Sequence, residues 1–155
     1  MKARAVWLFL AMCLVGVASS HGADDPFLGT WKLNEAKSKI TAGSGKNSTV
    51  VYEMSGDSIK VTIDGTGPDG AATHSEWTGK FDGKDYPVTG DPNEDTRAVK
   101  KVSAHLATFA VKKGGKVVET GRIVVAADGK TRTVTTQGVD AKGMKVGGSA
   151  VYDKQ

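Results

Sequence analysis

The chain has 155 residues, 39% hydrophobic and 25% charged, with 21 Lys and Arg against 17 Asp and Glu, a formal net charge of +4. Lys2 and Arg4 stand at the very start, and setting them aside leaves 19 basic residues against 17 acidic ones. That balance excludes a broad nucleic-acid or anionic-membrane face, which needs concentrated positive charge; the one cysteine, Cys13, lies in the first apolar run, so no disulfide framework, thiol nucleophile or cysteine metal site follows it.

Residues 1–20 read as a signal peptide. A basic start (Met1-Lys2-Ala3-Arg4) is followed by an unbroken apolar run over residues 5–18 and then the small residues Ser19 and Ser20. The run is shorter than the ~20 residues a membrane-spanning helix needs, and Met12 before Cys13 does not make a lipid-attachment site. Ala18 and Ser20 suit cleavage before His21, whereas Ser20 and Gly22 suit cleavage before Ala23. The expectation is a protein that becomes periplasmic or secreted without a stable membrane anchor, with residues 21–155 as one domain.

That domain is punctuated by turn signals. Ser55-Gly56-Asp57, Asp64-Gly65, Asp69-Gly70, Asp82-Gly83, Gly114-Gly115, Asp128-Gly129 and Ala141-Lys142-Gly143 supply the positive φ angles of tight hairpins. Between them lie β-branched segments, predicted as strands over residues 29–33, 50–54, 59–63, 73–81, 97–102, 106–111, 117–125, 131–137 and 146–152. One short helical turn is expected after Asn34, which can cap residues 35–39. Alternation puts Thr73, Ser75, Trp77, Gly79 and Phe81 on one face, and Ile59, Val61 and Ile63 on another. Over residues 131–137 neither face is strongly apolar, because Thr131, Thr133, Thr135 and Gln137 oppose Arg132, Val134 and Thr136. Threonine-lined strands suit a barrel with a partly polar interior better than a solid sandwich.

The ends of the chain carry a resemblance. Phe27-Leu28-Gly29-Thr30-Trp31-Lys32-Leu33 resembles the first strand of the calycin barrels, where G-x-W opens the lipocalins and F-x-G-T-W-K-L opens fatty-acid-binding proteins. Ala150-Val151-Tyr152-Asp153-Lys154 is similar to the closing R-x-Y-E-K strand of the latter. The chain also looks like small exported bacterial proteins, called lipocalin-like, that open with GTWKLN-x-AKSK and close with VYDKQ. The resemblance implies an all-β fold, an antiparallel up-and-down β-barrel of about 8–10 strands. It departs from the fatty-acid-binding pattern in two places. Ala150 stands where the carboxylate-binding arginine belongs, and the stretch from Asn34 to Thr49 is too short for a two-helix lid. Gly29 and Trp31 are expected to be structural, with Trp31 plugging one end and Lys154 over its ring as a cation–π partner.

The expected function is an exported binding protein for a small hydrophobic or amphipathic molecule, with no nucleic-acid partner, acting as a monomer or weak dimer. Tyr52, Trp77, Phe81, Phe109 and Tyr152 are candidates for the ligand cavity, with Arg122 as polar anchor and Arg132 as the alternative inward cation. The entrance is expected around residues 65–72 and 82–94. No cofactor, metal or catalytic set is assigned. Two alternatives remain: a protease-inhibitor or other protein-binding barrel using residues 21–27 as a free arm, and a copper enzyme with amino-terminal His21 and His74 or His105. The latter arrangement resembles that of lytic polysaccharide monooxygenases. Otherwise His74 and His105 decorate outer faces. Asp91-Pro92-Asn93-Glu94-Asp95 begins like a calcium loop but lacks its sixth-position glycine and twelfth-position carboxylate, where Val102 sits, so it reads as a solvated turn. Glu76 and Glu119 are carboxylates that nothing in the sequence places together. Asn47-Ser48-Thr49 is a glycosylation acceptor only in a eukaryotic host.

Overall fold

The structure is a computed structural model that describes residues 25–139 and 142–155. The expected signal peptide and His21 lie outside the described residues. Eleven strands form among those described: β1 (Gly29–Leu33), β2 (Lys39–Ile40), β3 (Lys46–Ser55), β4 (Ser58–Thr66), β5 (Ala72–Gly79), β6 (Asp82–Thr89), β7 (Thr96–Lys101), β8 (Leu106–Lys113), β9 (Lys116–Val125), β10 (Thr131–Val139) and β11 (Lys145–Lys154). Each pairs antiparallel with its neighbour in the order β1-β3-β4-β5-β6-β7-β8-β9-β10-β11, and β1 closes the ring on β11 through Trp31↔Lys154 to Leu33↔Tyr152. This is a closed ten-stranded antiparallel up-and-down barrel, the architecture the end motifs implied, with β2 as an extra strand.

β2 exists because β1 is short. After Leu33 the chain makes a 3-10 turn at Glu35–Lys37, which Asn34 caps by accepting from Lys37 N at 3.2 Å. The chain then rejoins β11 farther along, at Ser149↔Lys39 and Gly148↔Ile40. The Ser38 hydroxyl accepts from Val151 N at 2.9 Å across the break, so that amide is not orphaned. The expected helical turn is therefore real but stops at Lys37.

Hairpin chemistry sets much of the register. Gly114 and Gly115 both have positive φ, +56° and +74°, the combination a two-residue type I′ turn needs between β8 and β9. Alternation does the rest: in β4, Ile59, Val61 and Ile63 are buried while Lys60 and Thr62 are not. The sequence reading missed two strands, the short β2 and the barrel strand β6. The latter's DGKDYPVT has a turn signal at its start and a proline within, and it joins β5 through two residue pairs, Glu76↔Thr89 and Trp77↔Val88. A proline is tolerated where a strand is nearly an edge. Part of the region expected as an entrance, residues 82–89, is thus barrel wall.

Up-and-down connectivity sorts the connections between two ends. One end, the closed end, holds the turns after β3, β5, β7 and β9 together with residues 25–28. The other, the mouth, holds the connections after β2, β4, β6, β8 and β10.

Candidate binding site at the barrel mouth

The closed end is filled. Phe27 and Trp31 are wholly buried, and Trp31 Nε1 donates to Phe27 O at 3.0 Å. Asp25 pins this segment by accepting from Phe27 N at 3.1 Å and pairing with Lys101 Nζ at 2.7 Å. Lys101 Nζ in turn lies 5.4 Å from the Phe27 ring centroid. The free arm expected over residues 21–27 is therefore corrected for Asp25 to Phe27, which plug the barrel because an apolar ring at 27 has an interior to enter. Residues 21–24 lie outside the described residues.

Tyr52, Trp77 and Phe81 come together here. Their rings meet edge-on or tilted, with Tyr52–Phe81 at 6.4 Å, Trp77–Phe81 at 6.2 Å and Phe27–Phe81 at 5.6 Å. Tyr152 belongs to the same core and Phe109 packs against it. Trp77 Nε1 donates to Arg97 O at 2.9 Å. The five aromatic candidates thus form one packed body, and none of them lines either of the two surface pockets described below.

Arg122 is not with them. Ile123 and Val125 face inward on β9, so the alternate residue Arg122 points outward and is exposed. The interior cation is Arg132 on β10, 2% exposed. Its guanidinium carbon lies 4.8 Å from the ring centroids of Trp31, Tyr52 and Tyr152, a three-sided aromatic cage. Lys154 Nζ sits 5.2 Å from the Trp31 centroid. Nε and Nη1 of Arg132 have no hydrogen-bond partner, so the rings carry the compensation for desolvating this charge. Burial pushes the Tyr152 hydroxyl up to about 12, opposed by the nearby Arg132 charge; the hydroxyl donates to Asn47 O at 3.1 Å. Gly29 is needed below: its φ is +114°, and a Cβ there would stand 2.8 Å from Lys154 Cε.

The mouth is built differently. The acidic loop between β6 and β7 is a turn, with Asn93 N donating to Asp91 Oδ1 at 2.8 Å and Asp95 receiving Lys113 Nζ and Gly114 N, each at 2.7 Å. It is not wholly solvated, which corrects the sequence reading: Glu94 folds inward and is 4% exposed. Arg97 Nη2 donates to Glu94 Oε1 at 2.6 Å, while Glu94 Oε2 and Arg97 Nε have no hydrogen-bond partner. Arg97 stacks on Phe109 at 6.0 Å. Across β8, register brings Glu119 into the same row, through Arg97↔Val111 and Val111↔Glu119. Burial holds the Glu94 and Glu119 carboxyls above the usual carboxylate range, against the pull of Arg97. The Glu94 charge pushes Glu119 further up, and Asp91 acts on both.

An open pocket of about 440 Å³ lies where β10 ends and β9 and β11 begin, lined by Val117, Val118, Glu119, Thr120, Gln137, Gly138, Val139, Lys145 and Val146. A second one, about 330 Å³ and more polar, lies between β2 and β3 and includes Glu35, Ser38, Ser44 and Lys46. The glutamate whose charge acts on Glu119 is thus Glu94, not Glu76. Glu76 is on the outer face, 2.8 Å from Lys60. His74 is also outside, 2.6 Å from Asp64, and His105 is half-buried in the β7–β8 turn. Glu94 and Glu119 were missed as a pair because they lie 25 positions apart in the chain; the Glu94–Arg97 spacing of three was the available signal.

No protein family matches the chain, and neither does any curated protein. Among solved structures it is similar to a redesigned β-barrel, mFAP1, bound to DFHBI, with 12% identity over 83% of this chain and 95% of that one and a TM-score of 0.46. It is similar also to a de novo designed fluorescence-activating β-barrel, with 12% identity over 83% of this chain and 94% of that one and a TM-score of 0.44. The class to which this chain belongs is set by its own strand order and closure, described above.

Proposed function

We propose that this chain is an exported barrel protein that takes up a small, partly apolar molecule at the mouth. The observation that carries this is the pocket at the ends of β9, β10 and β11, of about 440 Å³. Its volume falls within the range of small-molecule sites, roughly 300–1,000 Å³. Four of its nine lining residues are valines, and of its two ionisable side chains Glu119 is half-buried while Lys145 is exposed. Apolar walls supply affinity by burial, and a few fixed polar groups supply orientation. The packed aromatic body then serves as a floor on which the mouth is rigidly held. Export rests on the order of charge, apolar run and small residues over residues 1–20.

The test is native mass spectrometry on the protein recovered from the exported fraction of its host. A mass matching the chain from residue 21 or 23 onward, plus a bound molecule released by organic solvent, is the expected result. An unprocessed chain retained in the cell overturns export. A processed chain of bare mass that also takes up no member of a small-amphiphile panel overturns the binding reading.

A further inference from the structure

Resting on that reading of the mouth, we infer that the site selects amphipathic amines: a protonated nitrogen meets Glu119 while its apolar body lies along Val117, Val118, Val139 and Val146. The charges at the mouth do not balance. The Arg97 guanidinium acts on both Glu94 and Glu119, to which Asp91 adds a third negative charge, and it is already engaged by Glu94 at 2.6 Å.

The neighbouring lysines are held elsewhere, Lys112 by Asp85 at 2.6 Å and Lys113 by Asp95 at 2.7 Å. Lys145 lines the outer wall of the pocket but is exposed and is not among the charges that act on Glu119. The Glu119 carboxyl makes no hydrogen bond or salt bridge among the described residues, although burial disfavours leaving it charged and alone. Glu94, which acts on Glu119 without lining the pocket, also carries an acceptor without a donor, Oε2, on a side chain 3% exposed. One buried acceptor, Glu94 Oε2, and one buried donor, Arg97 Nε, are unpartnered at the mouth, and carboxylates outnumber cations there. An ammonium brings three donors and one positive charge. A carboxylate or a phosphate brings neither.

The experiment is isothermal titration calorimetry at pH 7 with octylamine, 1-octanol and octanoate, which share one chain length and differ in head group. The expected result is octylamine bound at least about tenfold more tightly than 1-octanol, the scale of one charge-assisted hydrogen bond, with octanoate weakest. In Glu119→Gln the octylamine preference collapses while 1-octanol binding stays within about twofold, which also shows that the variant is folded. If 1-octanol or octanoate matches octylamine in the native chain, or the amine preference survives in Glu119→Gln, the inference is overturned and the broader binding reading stands. If none of the three binds, that broader reading falls with it.

Discussion

The two ends of the barrel handle buried charge in opposite ways. At the closed end Arg132 and Lys154 are covered by aromatic rings, and apolar side chains fill the remaining space. At the mouth Glu94, Arg97 and Glu119 have one short salt bridge among them, and two of their buried polar atoms lack partners. Side-chain size accounts for the contrast. Toward the mouth, the inward residues of β10 run Arg132, Val134, Thr136, Gly138, and their partners on β11 run Tyr152, Ala150, Gly148, Val146. Volume falls along β10 to Gly138 and along β11 as far as Gly148, before Val146 at the rim, so the closed end packs solid while the middle and mouth of these strands carry small residues. The first end is packed for stability, and the second is where we propose that a ligand binds.

The largest expected effect that tests this contrast is at the plug. Trp31→Ala should lower unfolding free energy by about 3–5 kcal/mol in urea titrations, the loss typical of a large buried aromatic. A loss under about 1 kcal/mol would mean that the closed end is not the stabilising half. Next comes the caged guanidinium. Arg132→Ala should cost about 2–4 kcal/mol through the cavity it leaves. Arg132→Met, which keeps the volume, should stay within about 1.5 kcal/mol of the native chain. If methionine proves as damaging as alanine, the charge itself holds the rings together. Lys154→Met should cost less, about 1 kcal/mol, because it removes one partly exposed cation–π contact.

The smallest effect is expected at the mouth, and its sign is opposite. Burial raises the Glu119 carboxyl above its unfolded value, so the fold disfavours its charged form. That unfavourable contribution is absent in acid, below the unfolded value where the group is protonated in both states. It grows as pH rises from there and is complete above the folded value. Glu119→Gln should therefore raise Tm slightly at pH 7 and leave it unchanged near pH 4, as thermal melts at the two pH values would show. Asp95 behaves conversely. Its salt bridge to Lys113 and its bond from Gly114 N hold it below the usual range, so its contribution is present at neutral pH and lost as pH falls through the folded value.

The barrel walls were largely legible, because Ile59, Val61 and Ile63 or Ser75, Trp77 and Gly79 repeat with the period of a half-buried strand. β6 was not, since DGKDYPVT opens on a turn dipeptide and holds a proline, and its pairing with β7 compensates for both. Arg122 and Arg132 were indistinguishable as sequence, each a lone cation in a β-branched run. Strand phase separates them: Arg122 alternates with Ile123 and Val125 and points out, whereas Arg132 lies opposite Val125 and Tyr152 and points in. The acidic loop read as solvated because Asp, Asn and Pro dominate it, and only the fold directs its fourth residue, Glu94, inward.

Local chemistry in the sequence was sufficient to specify β structure, most hairpin positions and the short capped turn, since each depends on neighbours in the chain or on a period of two. Asp64-Gly65, expected as a turn, instead runs within β4 without a positive φ at Gly65. Which aromatic rings touch, which arginine is caged and which carboxylates share the mouth were decided only by closure of β1 on β11 and by the register across β7, β8 and β9. Those pairings join residues remote in sequence, and a shift of one residue in register would exchange the inner and outer faces.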